Sequence, residues 1–412
     1  MINILDKKDC CGCASCVQVC PKQCISMNED CEGFLYPKVD SSVCVDCGLC
    51  EKVCPIINQG YTIVPLATYA AKNKDEKIRY KSSSGGVFTL IAEQILADGG
   101  VVFGARFNEN WEVIHDYAET VEGLEPFRGS KYVQSVIGDN YKYAKQFLLE
   151  GRKVLFSGTP CQIAGLKKFL RKEYENLLTV EVVCHGVPSP KVWRDYLQYK
   201  RAQHVVGKNT VSSSIDELPV ITGISFRDKT KGWKKFGFKI CYAASKAAKN
   251  SVSKSANIVN SEITPFNEDV FMRGFLKNLY LRPSCYHCVA RRGKSGADIA
   301  IADYWGIQRI HPELDDDKGT GAVLINTNNG LKCYNNIYQS LDCVQTNYDD
   351  IVRYNPCIVN SVKEPNRRHL FWQNYPISKI DCIEVICELM TPSPIIVFAK
   401  RVVLKIKSLM KI

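Results

Sequence analysis

"VLFSGTPCQIAGLKKFL", residues 154–170, changes its hydrophobic rhythm halfway along. An apolar run stops at Ser157-Gly158-Thr159-Pro160, and beyond Cys161 the apolar residues recur at helical spacing. A buried strand that feeds a helix through a tight turn is the repeating unit of an α/β sheet. Cys161 sits in that turn, where the positive end of a helix favours a thiolate. Three readings are open for it: activated nucleophile, metal ligand with distant partners, or buried apolar side chain.

The same rhythm recurs on both sides. "SSSGGVFTLIAEQILADGG" (82–100) reads as a helix capped by serines, with Val87, Phe88, Ile91 and Ile95 on one face and glycines at its end. "VVFGARF" (101–107) follows as a buried strand, and "NYKYAKQFLLEGRK" (140–153) is a helix leading back to Val154. "LLTVEVVCHGVPSPKVWRDYLQYK" (177–200) gives strand, turn and a helix capped by Ser189 with Pro190 first. "GISFRDK" and "KKFGFKICYA" alternate as strands, and "EDVFMRGFLKNLYL" is helical. Residues 203–222 and the Ser/Lys/Asn-rich stretch 244–265 read as loops. The expected class is α/β (α+β), a larger mixed-sheet domain behind a small ferredoxin-like one. The domains fall at 1–60, 66–330 and 331–412, the last a helical extension with a basic tail.

Cysteine usage carries the chemistry. Of 21 cysteines, eleven precede residue 55. Eight form two matching runs: Cys10-x2-Cys13-x2-Cys16-x3-Cys20-Pro and Cys44-x2-Cys47-x2-Cys50-x3-Cys54-Pro. This is the spacing of a ferredoxin-type domain with two 4Fe–4S clusters, in which the fourth cysteine of each run serves the other cluster. The expected sets are Cys10, Cys13, Cys16 with Cys54, and Cys44, Cys47, Cys50 with Cys20. Structural zinc takes only four ligands and has no use for the doubled pattern. Cys11, Cys24 and Cys31 fall outside it and read as packing residues.

Four more cysteines stand at turn ends: Cys161, Cys184 before His185, and Cys285-x2-Cys288. Parallel strands place such turns on one sheet edge. The four are therefore either the ligands of a third cubane or separate structural thiols. Cys241, Cys333, Cys343, Cys357, Cys382 and Cys387 read as buried thiols.

The net charge of +11 is uneven, since residues 1–60 hold five Lys/Arg against eight Asp/Glu. Basic residues form no compact stripe with interleaved aromatics, which argues against nucleic acid. Neither a signal peptide nor a membrane-length apolar run is visible, so a cytoplasmic location is expected. The tail from Ile395, with five Lys/Arg and no acids, suits weak contact with an anionic membrane surface or an amphipathic packing helix. No G-x-G-x-x-G follows a strand and no phosphate-binding G-x-x-x-x-G-K-[ST] occurs.

"SSSGGVFT", "GSKYVQS", "FSGTPCQIAGL", "VCHGVPSP", "RPSCYHC" and "DIAIADYWG", in this order behind the double cysteine motif, closely resemble the coenzyme F420 hydrogenase/dehydrogenase beta-subunit family over roughly residues 1–330. The resemblance implies an FAD protein with a 4Fe–4S cluster beside the flavin, exchanging electrons with coenzyme F420 or reducing another ring substrate. Relatives include chlorophyll-cycle reductases, and many bacterial members accompany polysaccharide-biosynthesis genes. It implies FAD binding by Ser83, Ser84, Gly85 and Gly86, where free N–H groups can meet a diphosphate. Gly129, Ser130 and Lys131 would lie by the flavin ring, with Lys131 a cation for the reduced form. Ser157, Gly158, Thr159 and Pro160 would shape the pocket around Cys161, with Asp303 and Trp305 as further wall. His185 is a candidate proton donor or a core histidine.

The sequence thus reads as an iron–sulfur flavoprotein oxidoreductase. Ferredoxin or another one-electron donor would charge its clusters, and a small-molecule redox substrate would receive the electrons. Two rivals are a non-catalytic electron-transfer subunit and a redox-sensing or scaffold component of surface-polysaccharide assembly.

Overall fold

The computed structural model describes residues 1–206, 218–243, 260–375 and 382–390. The basic tail from Ile395, most of the loop expected at 244–265 and the side chain of Cys382 lie outside these residues. Among the described residues are thirteen strands: β1 (Ile25–Glu29), β2 (Leu35–Val39), β3 (Ala67–Asn73), β4 (Val101–Phe107), β5 (Val113–Ala118), β6 (Val154–Gly158), β7 (Leu177–Val182), β8 (Val220–Asp228), β9 (Gly237–Ala243), β10 (Asn260–Pro265), β11 (Ile299–Asp303), β12 (Gly321–Ile325) and β13 (Leu341–Gln345).

Eight of them form one mixed sheet in the order β13-β3-β12-β11-β7-β6-β4-β5. Its centre is parallel: β4 pairs with β6, β6 with β7 and β7 with β11, while the flanking pairs are antiparallel. β6 and β7 are buried nearly end to end, as strands covered on both faces must be. All four central strands therefore end on one edge, and that edge carries Gly158, Val182 and Asp303. A three-stranded antiparallel sheet, β10-β9-β8, packs beside it on an aromatic core around Trp193, Phe226, Phe238 and Phe271.

Two expectations are corrected. Residues 260–265 are β10, not loop, and β13 belongs to the main sheet rather than to a helical extension. Both are short pairing strands whose partners, β9 and β3, are fixed by the rest of the chain. The helix Val87–Ala97 also lacks a serine cap: its N-cap is Gly86 at φ 78°, with no side-chain hydrogen bond. The serines turn elsewhere, Ser84 to the Thr320 carbonyl (2.8 Å) and Ser83 to Ser130. Ser189 does cap its helix, accepting from the Val192 N–H at 3.2 Å.

The N-terminal module is a β1–β2 hairpin with two short helices, Ser15–Val19 and Leu49–Lys52. Each helix begins after a left-handed residue one position beyond the middle cysteine of its run, Ala14 (φ 60°) and Gly48 (φ 71°). The module docks on the helix Pro160–Leu170: Ser15 Oγ donates to the Gly165 carbonyl at 2.9 Å. A Cβ at Gly165 would lie 2.8 Å from both Cys13 Cβ and Ser15 Oγ. Gly165→Val is accordingly expected to cost about 1–3 kcal/mol by overpacking. Thermal denaturation should show this cost, and limited proteolysis should release the module sooner than in the parent chain.

Candidate functional site

The cysteines of the module fall into two groups. Cys20, Cys44, Cys47 and Cys50 line one cavity of about 20 Å³ together with Cys24. This is the crossed grouping expected from the repeat. Cys10, Cys13, Cys16 and Cys54 form the other set, close enough that each thiolate would raise its neighbours' pKa beyond the effect of burial. Cys47 is exposed, whereas Cys13 is buried against the body of the protein. The Ile2 N–H points at Cys50 Sγ (3.2 Å).

On the edge of the main sheet, Cys161, Cys184, Cys285 and Cys288 line a third cavity, of about 40 Å³. Cys161 stands second in a helix whose cap is Thr159, with Pro160 first. A hydrogen bond from Cys11 foremost, then Thr159 and the charge of Arg282, bring its thiol down to about 6 against burial. The Val187 N–H reaches Cys285 Sγ at 3.4 Å. No three His, Cys, Asp or Glu side chains among the described residues converge on a point suited to a single ion. The thiols instead stand around voids, as ligands of a polynuclear cluster do.

Buried charge tests the fit. Arg282 and Arg291 both line this third cavity, at 0% and 8% exposure. Arg291 donates to the carbonyls of Cys184 (3.0 Å) and His185 (3.2 Å), and its Nε is buried without a partner. Arg282 is bonded to carbonyl, amide and thiol groups. Neither makes an ion pair with a carboxylate among the described residues. Glu181 stands nearby, but burial pushes it up to about 7 and it bonds to Ser295. Buried guanidinium without counter-charge is costly. Four thiolates around a cluster carry the negative charge that this pair lacks, so the residues fit such a group.

Against the third cavity lies a much larger one, of about 870 Å³, and Cys184, Gly186 and Val187 line both. Ser83, Ser84, Gly85 and Gly86 form one part of its wall, and Gly129, Ser130 and Lys131 another. Ser157, Gly158, Thr159, His185, Asp303 and Trp305 complete the expected set. Pro160 does not join them; it faces the third cavity instead, because as first residue of its helix it points toward Cys161. Lys131 Nζ donates to the carbonyls of Arg128 (3.2 Å) and Gly129 (3.1 Å), and burial lowers its pKa to about 7. Asp303 is held by Arg227 (2.7 Å), and Trp305 stacks on Trp233 at 4.7 Å. His185 is kept neutral by burial, its Nε2 donating to Asn278 Oδ1 at 2.6 Å. A cavity of this size, walled by serines, glycines and cations, suits a dinucleotide with an anionic diphosphate.

Several contributors escaped the sequence reading. Cys11, expected only to pack, lines the third cavity beside Cys161. His115, buried and lowered to about 4, holds the Ser157 carbonyl (3.1 Å) and so shapes the turn before Cys161. Residues 354–357 and 360–363, among them Cys357, wall the large cavity from beyond the expected domain boundary. Arg227, Arg282 and Arg291 carried one usable signal: each lies within three residues of a quoted motif or strand end.

Family models for the N-terminal and C-terminal regions of the coenzyme F420 hydrogenase/dehydrogenase beta subunit match residues 68–138 and 151–350. A "4Fe-4S dicluster domain" model matches residues 9–56. The coenzyme F420-dependent sulfite reductase of Methanocaldococcus jannaschii is 29% identical over 192 residues, 45% of this chain and 29% of that protein. A subunit of the F420H2 dehydrogenase of Methanosarcina mazei is 27% identical over 210 residues, 46% of this chain and 58% of that one. A 7Fe ferredoxin of Hydrogenibacillus schlegelii is 42% identical over 65 residues, 15% of this chain and 77% of its own. The chain thus spans less than two thirds of the first two relatives. A chain of the F420-reducing [NiFe] hydrogenase complex from Methanosarcina barkeri superposes with a TM-score of 0.42 at 17% identity, over 74% of this chain and 97% of that one.

Proposed function

Because the chain belongs to the coenzyme F420 hydrogenase/dehydrogenase beta-subunit family and carries a 4Fe–4S dicluster domain, we propose that it is an iron–sulfur flavoprotein oxidoreductase. It would take single electrons from ferredoxin or a similar donor and exchange them, as hydride equivalents, with coenzyme F420 or another organic ring substrate. When bound, the clusters supply one-electron relay, and FAD supplies the conversion between one-electron and two-electron chemistry.

One observation carries the reading: the third thiol cavity and the large cavity share the wall formed by Cys184, Gly186 and Val187. Cys161, Cys184, Cys285 and Cys288 would hold the third cluster against that wall. Ser83, Ser84, Gly85 and Gly86 line the large cavity and would meet a diphosphate there. Lys131 would place a cation by the ring, and His185, on the large-cavity side of the shared wall, would be the candidate proton donor.

Anaerobic purification with iron, sulfide and flavin analysis tests this. About twelve irons and one FAD per chain are expected, from three cubanes and one flavin. Eight irons without flavin would overturn the proposal. A second reading, an electron-transfer component acting within a larger complex, is favoured by the exposure of Cys47 on the outer thiol set. Turnover of the isolated chain with an artificial donor decides against it.

A further inference from the structure

The cluster reading leaves one large buried side chain without a role. Arg282 is fully buried, and its main chain belongs to the third thiol set. Its N–H donates to the Val187 carbonyl (3.0 Å), and its own carbonyl accepts from the Cys285 N–H (2.9 Å). Its side chain runs the other way, into the N-terminal module. There Nε donates to the Cys10 carbonyl (2.7 Å), and Nη2 to the Leu35 carbonyl (2.9 Å) and Cys10 Sγ (3.5 Å). Nη1 donates to Gln134 Oε1 at 2.9 Å.

The guanidinium also lies 4.3 Å from the centre of the Tyr36 ring, on the β1–β2 hairpin. The Cys10–Cys13 loop is wrapped closely around it, since a Cβ at Gly12 would come within 2.9 Å of Nη1. Arg291, the other buried guanidinium, binds carbonyls of Cys184, His185 and Cys357 and makes no such bridge. Arg282 therefore touches a thiol of one set and lines the cavity of another, with no carboxylate bonded to it among the described residues.

Resting on the cluster reading above, we propose that Arg282 is the positioning residue that joins the Cys10/Cys13/Cys16/Cys54 set to the Cys161/Cys184/Cys285/Cys288 set. Its planar fork fixes their separation, and its charge stabilises negative charge arriving on either side. Rigid separation matters because a one-electron transfer depends on a fixed gap between the two groups. One electron leaves one group and one arrives at the other, so no bond forms or breaks and no proton moves. The reductant is the one-electron donor already proposed. The order follows from contacts: Cys47 of the Cys20/Cys44/Cys47/Cys50 set is exposed and would face the donor, while Cys10 of the other set touches Arg282.

The test is a redox titration of the full chain, purified anaerobically and followed by electron paramagnetic resonance, with iron content measured in parallel. Arg282→Gln removes the charge. Gln134→Glu keeps the arginine and the side-chain size, sets a carboxylate against Nη1 and gives up the Nε2 donation to the Cys11 carbonyl (3.2 Å). Both variants are expected to make the Cys10-set and third-set groups about tenfold harder to reduce. For one electron that is about 59 mV. The outer set serves as internal control and should hold its potential. If Arg282→Gln loses iron, Gln134→Glu decides alone. Unchanged potentials at full iron content in Gln134→Glu would overturn the proposal. A parent protein with only eight irons would instead overturn the cluster reading on which it rests.

Discussion

Cys161→Ser is expected to remove four of about twelve irons and to leave both N-terminal signals intact. Cys161, Cys184, Cys285 and Cys288 face one cavity, so loss of one thiol unmakes that set alone. The N-terminal sets take no thiol from beyond Cys54 and should keep their iron. Substitution of residues behind a metal ligand already costs roughly 10–100-fold in affinity or activity, and a ligand itself should reach the upper end or beyond. Turnover with a natural donor should therefore fall by at least about 100-fold, while FAD stays bound. Iron analysis and the visible flavin spectrum of one preparation check both halves. Loss of turnover with all the iron retained would return Cys161 to the role of a nucleophile, which its lowered pKa alone would permit.

Lys131→Met should weaken FAD binding and remove its dependence on pH. The amine makes no ion pair among the described residues, and burial brings it to about 7. Below that pH it is charged and ready to meet an anion; above it, the proton must be regained on binding, because a nearby negative charge favours the charged form. Affinity of the apoprotein for FAD should thus fall as pH rises above 7, with proton uptake on binding at pH 8. In Lys131→Met the slope should vanish, and affinity at pH 6.5 should be about tenfold lower, the equivalent of one pKa unit of charge preference. Calorimetry in two buffers of different ionisation enthalpy measures the proton directly. Persistence of the slope in the variant would move the titrating group elsewhere.

How far the sequence reached depends on the range of each interaction. The repeat Cys-x2-Cys-x2-Cys-x3-Cys-Pro is local chemistry, and its spacing alone indicated that Cys20 leaves its own run to join Cys44, Cys47 and Cys50. The meeting of Cys161 and Cys184 was legible one step later, because parallel strands β6 and β7 must end on one edge. Arg282 was not: its partners Cys10 and Leu35 lie 272 and 247 residues away, and no periodicity records such a contact. Cys11 misled because its neighbour Cys161 is likewise far along the chain. The serines at 82–84 misled in the opposite way. Their local pattern is that of a cap, yet Ser83 and Ser84 bond to Ser130 and Thr320 across the fold. β13 was missed because five residues, Leu341–Gln345, carry too little alternation to stand out without β3 beside them.

The two guanidiniums walled in at the third cavity also bear on the life of the protein in a cell. Until iron and sulfide arrive, closing the module over Arg282 and Arg291 means burying two cations that no anion balances. The newly made chain should therefore hold its halves apart, with the cysteine loops open to whatever delivers iron. Under iron shortage such a chain would not accumulate as an inactive store; it would stay open to proteases, and its abundance would follow the iron supply.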